Sequence, residues 1–95
     1  MPDLFLDLYK TIESRKTSKN KNYYTRKLYK EGEKKIAQKF GEESSELIID
    51  FLKGSKKRTT EEAIDVIYHL FVLLSAKKIK FNELEKEILK RKNVR

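Results

Sequence analysis

The sequence predicts an all-α protein, a helical bundle of four to five helices completed by homodimerisation. Three observations predict it. Apolar residues recur at helical spacing in successive stretches of the chain. One stretch, Ala63 to Leu74, is apolar on almost every face, the pattern of a helix in the middle of a core. The chain has 95 residues, and one this short buries only roughly 60–65% of its unfolded surface. A second copy would complete so thin a core.

The elements follow in order. Asp3 is placed to cap a first helix over 3–15, with Leu4, Phe5, Leu8 and Ile12 at helical spacing. Ser14 to Asn22 holds no apolar residue and no period, so a loop is expected there. It carries Arg15, Lys16, Lys19 and Lys21, and reads either as a solvated linker or as a basic lid over a phosphate-rich ligand. Tyr23 to Tyr29 starts a short helical segment, which Gly32 kinks or stops. Glu33 opens the next helix, running to about Leu52, with Ile36, Phe40, Leu47, Ile48 and Phe51 as its apolar face. Gly54 suits the position just past that helix, and Thr59 or Thr60 is expected to cap the central one. After a turn at Lys77–Lys80, Asn82 is expected to cap a last helix with Leu84, Ile88 and Leu89 inward. Asn93-Val94-Arg95 should fray. Residues 1–95 read as a single domain.

Composition excludes some classes. Cysteine is absent, so neither a disulfide framework nor a cysteine-based metal site is available. Met1-Pro2-Asp3-Leu4 has no basic region or long apolar run, so no signal peptide is expected. The longest nearly apolar run falls short of the about 20 residues that span a bilayer. A cytoplasmic protein is the expectation. The formal charge is +8, with 40% charged residues. Its basic residues are scattered among acids, which fits a Lys/Glu-rich surface as well as a polyanion partner.

Acidic residues carry the chemistry. Glu62, Asp65 and His69 share one stripe of the central helix, because residues at i, i+3 and i+4 stack on one face. A carboxylate taken out of water costs several kcal/mol unless paired or bound to metal. Asp65, flanked by apolar neighbours, is therefore expected to need a partner. A second acidic face supplies one: Lys35, Lys39, Glu42, Glu43 and Glu46 fall within an arc of about 100° on a 3.6-residue helix. Gly41 precedes these acids in mid-helix, at a cost of ~1 kcal/mol against alanine. It signals either a close backbone or ligand approach or a local irregularity. Glu43-x-x-Glu46 and Glu62-x-x-Asp65 can converge if the two helices pack antiparallel, as in carboxylate metal sites of helical bundles. All-oxygen ligation suits Mg²⁺ or Mn²⁺. Spacing leaves plainer readings open. Thr59-x-x-Glu62 fits a capping box, the acids at 42, 43 and 46 can be a solvated face paired with Lys35 and Lys39, and His69 can bond a backbone carbonyl in the core.

Three stretches together resemble the phosphoribosyl-ATP pyrophosphohydrolase family. They are Tyr24-Thr25-x-x-Leu28, then Gly32-Glu33-x-Lys35-Ile36-x-Gln38-Lys39-x-Gly41-Glu42-Glu43-x-x-Glu46, then Glu62-Ala63-x-Asp65-x-x-Tyr68-His69-Leu70-x-Val72-Leu73-Leu74. The two acidic pairs alone would indicate only the wider MazG-like group of all-α nucleotide pyrophosphohydrolases. The Gln38–Glu43 run and Tyr68-His69 narrow it. The resemblance implies a dimeric all-α fold and Mg²⁺-dependent hydrolysis of phosphoribosyl-ATP to phosphoribosyl-AMP and pyrophosphate, the second step of histidine biosynthesis. It implies that Glu43, Glu46, Glu62 and Asp65 hold Mg²⁺, with Mn²⁺ a possible substitute. Glu42, with Glu43 and Glu46, would serve catalysis by orienting the metal or the attacking water. Lys35, Lys39 and Arg26 would meet substrate, and His69 would either touch substrate or order a ligand carboxylate from behind. Two departures touch the loop: residues 14–22 are Lys/Asn-rich where relatives often carry Pro or Gly, and Tyr23 stands where a small residue is usual. Two other functions fit the same residues: a house-cleaning (d)NTP pyrophosphohydrolase of the same fold, and a non-enzymatic basic helical dimer that binds nucleic acid.

Overall fold

Asp3 caps the first helix as expected, its Oδ1 accepting from the Leu6 amide at 3.0 Å. A computed structural model describes residues 3–92, and the expected fraying of Asn93-Val94-Arg95 lies outside the described residues. Five helices follow: α1 (Leu4–Lys16), α2 (Tyr24–Glu31), α3 (Glu33–Lys53), α4 (Lys56–Ala76) and α5 (Phe81–Arg91). Among the described residues there is no strand, and no helix is long and apolar enough to cross a membrane.

Helix α1 runs one residue past its expected end, to Lys16, so Ser14, Arg15 and Lys16 of the stretch expected as loop are helical. The cause is tertiary. Lys16 Nζ pairs with Glu13 at 2.9 Å and donates to Ser75 Oγ at 3.3 Å, and Ser75 in turn donates to Glu13. Ser75 is fully buried, so this polar knot pins the last turn of α1 to α4. The remaining loop is braced locally. Ser18 Oγ accepts from the Asn20 amide at 3.1 Å, and Asn20 Oδ1 accepts from the Asn22 amide at 3.0 Å.

Gly32 both stops α2 and starts α3, at φ +101°, a backbone that side chains rarely adopt. Gly54 then ends α3. A Cβ there would lie 2.9 Å from the Asp50 carbonyl oxygen, so glycine is required. Ser55 caps α4, its hydroxyl accepting from the Arg58 amide at 3.1 Å. This corrects the expected cap at Thr59 or Thr60. The helix starts earlier, and Thr59 donates from within it to Ser55 O at 2.9 Å and across the turn to Asp50 O at 3.0 Å. Asn82 is not the cap of α5 either. Lys80 precedes the helix, and its amide donates to Glu83 Oε2 at 2.6 Å, so the glutamate three residues on selects the start.

The core lies where α1 and α2 cover the Ile36 end of α3 and the Phe71–Ser75 end of α4. Tyr9, Ile12, Leu28, Ile36, Phe71 and Val72 are buried there. Fully burying a valine or phenylalanine is worth about 1.5–3 kcal/mol. Aromatic edges knit the helices. Tyr9 meets Phe71 at 5.3 Å and Phe81 at 5.5 Å, and Phe71 meets Phe81 at 6.0 Å and 90°. Helices α3 and α4 are each other's main partners, and together they outreach the shorter α1 and α2. Their turn end is thus uncovered in the single chain. Ile48 and Phe51, expected inward, are exposed, as are Ile49, Leu52 and Ile64. Helix α4 is therefore central along its second half only. On α5, Leu84 packs against the core while Ile88 and Leu89 are exposed.

Candidate functional site

The α3–α4 hairpin runs antiparallel, so positions equally far from Gly54-Ser55 meet. Near the turn these are Asp50 and Thr59. Further out they are Glu43 on α3 and Glu62 with Asp65 on α4. One carboxylate oxygen from each of these three lies within 4.8 Å of the others. The i, i+3 spacing of Glu62 and Asp65 puts both on the face turned to Glu43. Glu46 is exposed and falls outside this three-acid group. Its charge still reaches Glu62.

The buried acid is not the one expected. Asp65 is exposed, although its neighbours along α4 are apolar. Glu62 is the buried one, at 5% exposure. Its Oε1 accepts from Arg58 Nη2 at 2.9 Å, and its Oε2 is buried with no partner. The capping-box reading of Glu62 fails, since Ser55 is the cap and Glu62 is turned to Arg58. Burial pushes the Glu62 carboxyl above its ordinary value, and Glu46 and Asp65 push it further, against the pull of Arg58. A buried carboxylate oxygen without a partner, beside two more carboxylates, is an arrangement that a hard cation relieves. The donor set, all oxygen, fits a divalent ion such as Mg²⁺ or Mn²⁺.

Beside the acids stands Lys39. Its Nζ is 3.6 Å from Glu42 and 3.8 Å from Glu43. The Lys39 ammonium is pushed up, first by the neighbouring Tyr24 hydroxyl and, against some burial, by Glu42 and Glu43. Glu42 is held below its ordinary value, first by a hydrogen bond from Gln38 Nε2 at 3.2 Å and, against some burial, by Lys39 and Lys35. Lys35 and Lys39 line one shallow groove of about 180 Å³ with Tyr24, Lys27, Leu28 and Glu31. Arg26 lines a different cleft, with Lys16, Lys30 and Lys78, and its Nε donates to Ser18 O at 3.1 Å. The structure therefore brings Lys35 and Lys39 to one groove and leaves Arg26 outside it. A Cβ at Gly41 would meet nothing within 4 Å, so no close approach within the chain calls for that glycine.

His69 is buried, at 6% exposure, with both ring nitrogens engaged. Nδ1 lies 2.7 Å from the Asp65 carbonyl oxygen, and Nε2 lies 3.0 Å from the Tyr24 hydroxyl. A carbonyl only accepts, so Nδ1 carries the proton and Tyr24 donates to Nε2. The core-histidine bond to a backbone carbonyl is thus present, and its acceptor belongs to an acid of the cluster. Two contributors went unassigned in the sequence, Arg58 and Tyr24. Arg58 was legible in principle, four residues before Glu62 on one helix face. Tyr24 was not, because its link to His69 crosses 45 residues of chain.

Comparison with known proteins places these residues in context. Residues 5–92 match the family model described as phosphoribosyl-ATP pyrophosphohydrolase. A Bacillus cereus protein named phosphoribosyl-ATP pyrophosphatase is 43% identical over 91 residues, which cover 96% of this chain and 85% of that protein. A Staphylococcus aureus protein named histidine biosynthesis bifunctional protein HisIE is 41% identical over 88 residues, which cover 93% of this chain. The match takes in only 42% of that longer relative. A match that runs from α1 to α5, and spans all three acids the hairpin gathers, makes the chain a member of the phosphoribosyl-ATP pyrophosphohydrolase family.

Proposed function

We propose that the chain hydrolyses phosphoribosyl-ATP with water to phosphoribosyl-AMP and pyrophosphate, the second step of histidine biosynthesis, in a Mg²⁺-dependent reaction. One observation carries the reading within the family. Glu62, whose Oε2 is buried without a partner, offers a carboxylate oxygen within 4.8 Å of oxygens of Glu43 and Asp65. Glu43, Glu62 and Asp65 would hold Mg²⁺, with Glu46 as the fourth acid, and Mn²⁺ would substitute. A divalent ion there would neutralise phosphate charge and acidify a water.

The remaining work falls to side chains of the chain. Splitting a phosphoanhydride needs charge neutralisation and an aligned water more than a covalent intermediate. Lys39 and Lys35, along one groove, would meet the substrate phosphates. Glu42, kept ionised by Gln38 and Lys39, would orient the attacking water and take up its proton. Arg26, in its separate cleft, would meet substrate only if the ligand extends beyond the Lys35–Lys39 groove. His69 would act from behind the acids. The exposed Ile48, Phe51, Leu52 and Ile64 support a homodimer, since contiguous apolar surface of this kind marks an interface. A cytoplasmic setting agrees with the absence of cysteine.

The test is pyrophosphate release from phosphoribosyl-ATP, ATP and deoxynucleoside triphosphates, with and without Mg²⁺. Turnover of phosphoribosyl-ATP only with Mg²⁺ is expected. Turnover of deoxynucleoside triphosphates without turnover of phosphoribosyl-ATP would establish the house-cleaning alternative instead.

A further inference from the structure

Resting on the metal-site reading above, we propose that Tyr24 is a positioning residue for the acid cluster, acting through His69. The route is a chain of two hydrogen bonds. The Tyr24 hydroxyl, from the first residue of α2, donates to His69 Nε2 at 3.0 Å. His69 Nδ1 donates to the backbone carbonyl of Asp65 at 2.7 Å. Asp65 lends one of the three carboxylates that lie within 4.8 Å of one another. Tyr24 thereby ties the start of α2 to the turn of α4 that aims an acid at Glu43.

The arrangement around the hydroxyl is specific. The Tyr24 ring stacks on Tyr68 at 6.1 Å and 27°, and meets the His69 imidazole edge-on at 5.7 Å and 75°. Those contacts hold the ring but do not choose a tautomer. The Asp65 carbonyl does, because it only accepts and so requires the proton at Nδ1; the Tyr24 hydroxyl then donates to the bare Nε2 and holds the ring turned to that carbonyl. Tyr24 is 45% exposed and lines one groove with Lys39, which pairs with Glu42 and Glu43. The same side chain therefore borders both the acids and the lysine groove. Fixing the orientation of a ligating group from behind typically changes metal affinity 10–100-fold.

Tyr24→Phe keeps the ring and deletes only the hydroxyl, so the stacking that holds α2 remains. Two readouts decide the matter on the purified full chain. One is Mn²⁺ affinity by electron paramagnetic resonance. The other is the ¹⁵N imidazole pattern of His69 without metal. Tyr24→Phe is expected to weaken Mn²⁺ binding about tenfold and to move the His69 Nε2 resonance as that nitrogen loses its donor, with the proton still at Nδ1. Tyr68→Phe is the control. Tyr68 bonds Thr25 rather than His69, so that variant is expected to melt earlier with unchanged Mn²⁺ affinity and an unchanged His69 pattern. Unchanged Mn²⁺ affinity in Tyr24→Phe overturns the proposal, as does a loss of affinity equal in both variants. Asp65→Asn separates this failure from that of the underlying reading. If the wild-type chain binds no Mn²⁺, or Asp65→Asn binds it as tightly, the metal site itself is wrong.

Discussion

Arg58 holds one oxygen of Glu62 at 2.9 Å and leaves the other buried and unpartnered, in a residue that also shares a three-acid cluster with Glu43 and Asp65. The guanidinium thus half-satisfies an acid whose remaining oxygen has nothing to bond. Burial, Glu46 and Asp65 raise the carboxyl above its ordinary value. The folded state therefore binds this proton more tightly than the unfolded chain does. The stability linked to it is complete below the ordinary carboxylate range and is lost as pH rises through the raised value. Above that raised value the ionised Glu62 is a cost. Glu62→Gln should accordingly raise the melting temperature of the metal-free chain at pH 7. It should also abolish the further rise that Mg²⁺ gives the wild type by mass action. Thermal melts with and without Mg²⁺ check both. A lower metal-free melting temperature for Glu62→Gln would count against the cluster as a site of mutual repulsion.

Asp65 makes the cleaner activity test because it is exposed and packs against little. Asp65→Asn should cut Mg²⁺-dependent pyrophosphate release at least about 100-fold, the usual cost of deleting one electrostatic stabiliser. The far-ultraviolet circular dichroism should stay at the wild-type value. Glu46→Gln should also abolish metal-dependent turnover. Glu46 lies outside the three-acid group while its charge presses on Glu62, so this variant tests whether it serves as the fourth acid. Full activity in Glu46→Gln would confine the cluster to three acids.

How much of this was legible in the sequence depends on the range of each interaction. Helical periodicity is local, and it placed all five helices; it put each acidic pair on one face but left their convergence to the packing of α3 on α4. Helix starts depend on which of several small polar residues wins. Ser55 prevails over Thr59 because Thr59 bonds across the turn to Asp50. Which acid is buried depends on how α3 packs against α4, a tertiary contact that periodicity within one helix does not encode. Asp65, set among Ile64, Val66 and Ile67, looked buried for that reason, yet Glu62 is the residue taken from water. The last turn of α1 was hidden likewise, since Lys16 is held by a serine 59 residues away.

That Lys16 knot has its own pH signature. Burial pushes the Glu13 carboxyl up. The hydrogen bond from Ser75 and the ammonium of Lys16 outweigh it, and the group ends below its ordinary value. The sign is opposite to that of Glu62. Stability from Glu13 is present above the ordinary carboxylate range, and is lost as pH falls through the lowered value. Glu13→Gln should therefore lower the melting temperature at pH 7. The gap from wild type should close once the pH is well below about 4. Melting curves across pH 2.5–7 (roughly the span of carboxylate titration) check it. A gap that persists at the acid end would mean the loss is one of packing rather than charge.

Lys78 is the one non-glycine residue with positive φ among those described, at +63°. It stands just past the end of α4, where the Lys78 amide donates to Ser75 O at 2.9 Å and the Ile79 amide to Leu74 O at 3.1 Å. Those bonds satisfy carbonyls that the helix end would otherwise leave open, and the left-handed residue between them is usually glycine. A lysine there bears a steric cost of roughly 1–2 kcal/mol from its Cβ. Part of that is returned on replacement, because glycine gains freedom in the unfolded chain. Lys78→Gly should thus stabilise the chain by about 1 kcal/mol, a rise of about 4–8 °C in melting temperature for a domain of this size. The turn also carries Ile79, whose carbonyl accepts from the buried Tyr9, and it leads into Phe81 of the aromatic core. A drop in melting temperature for Lys78→Gly would show that the lysine stem contributes more by packing at this turn than its backbone costs.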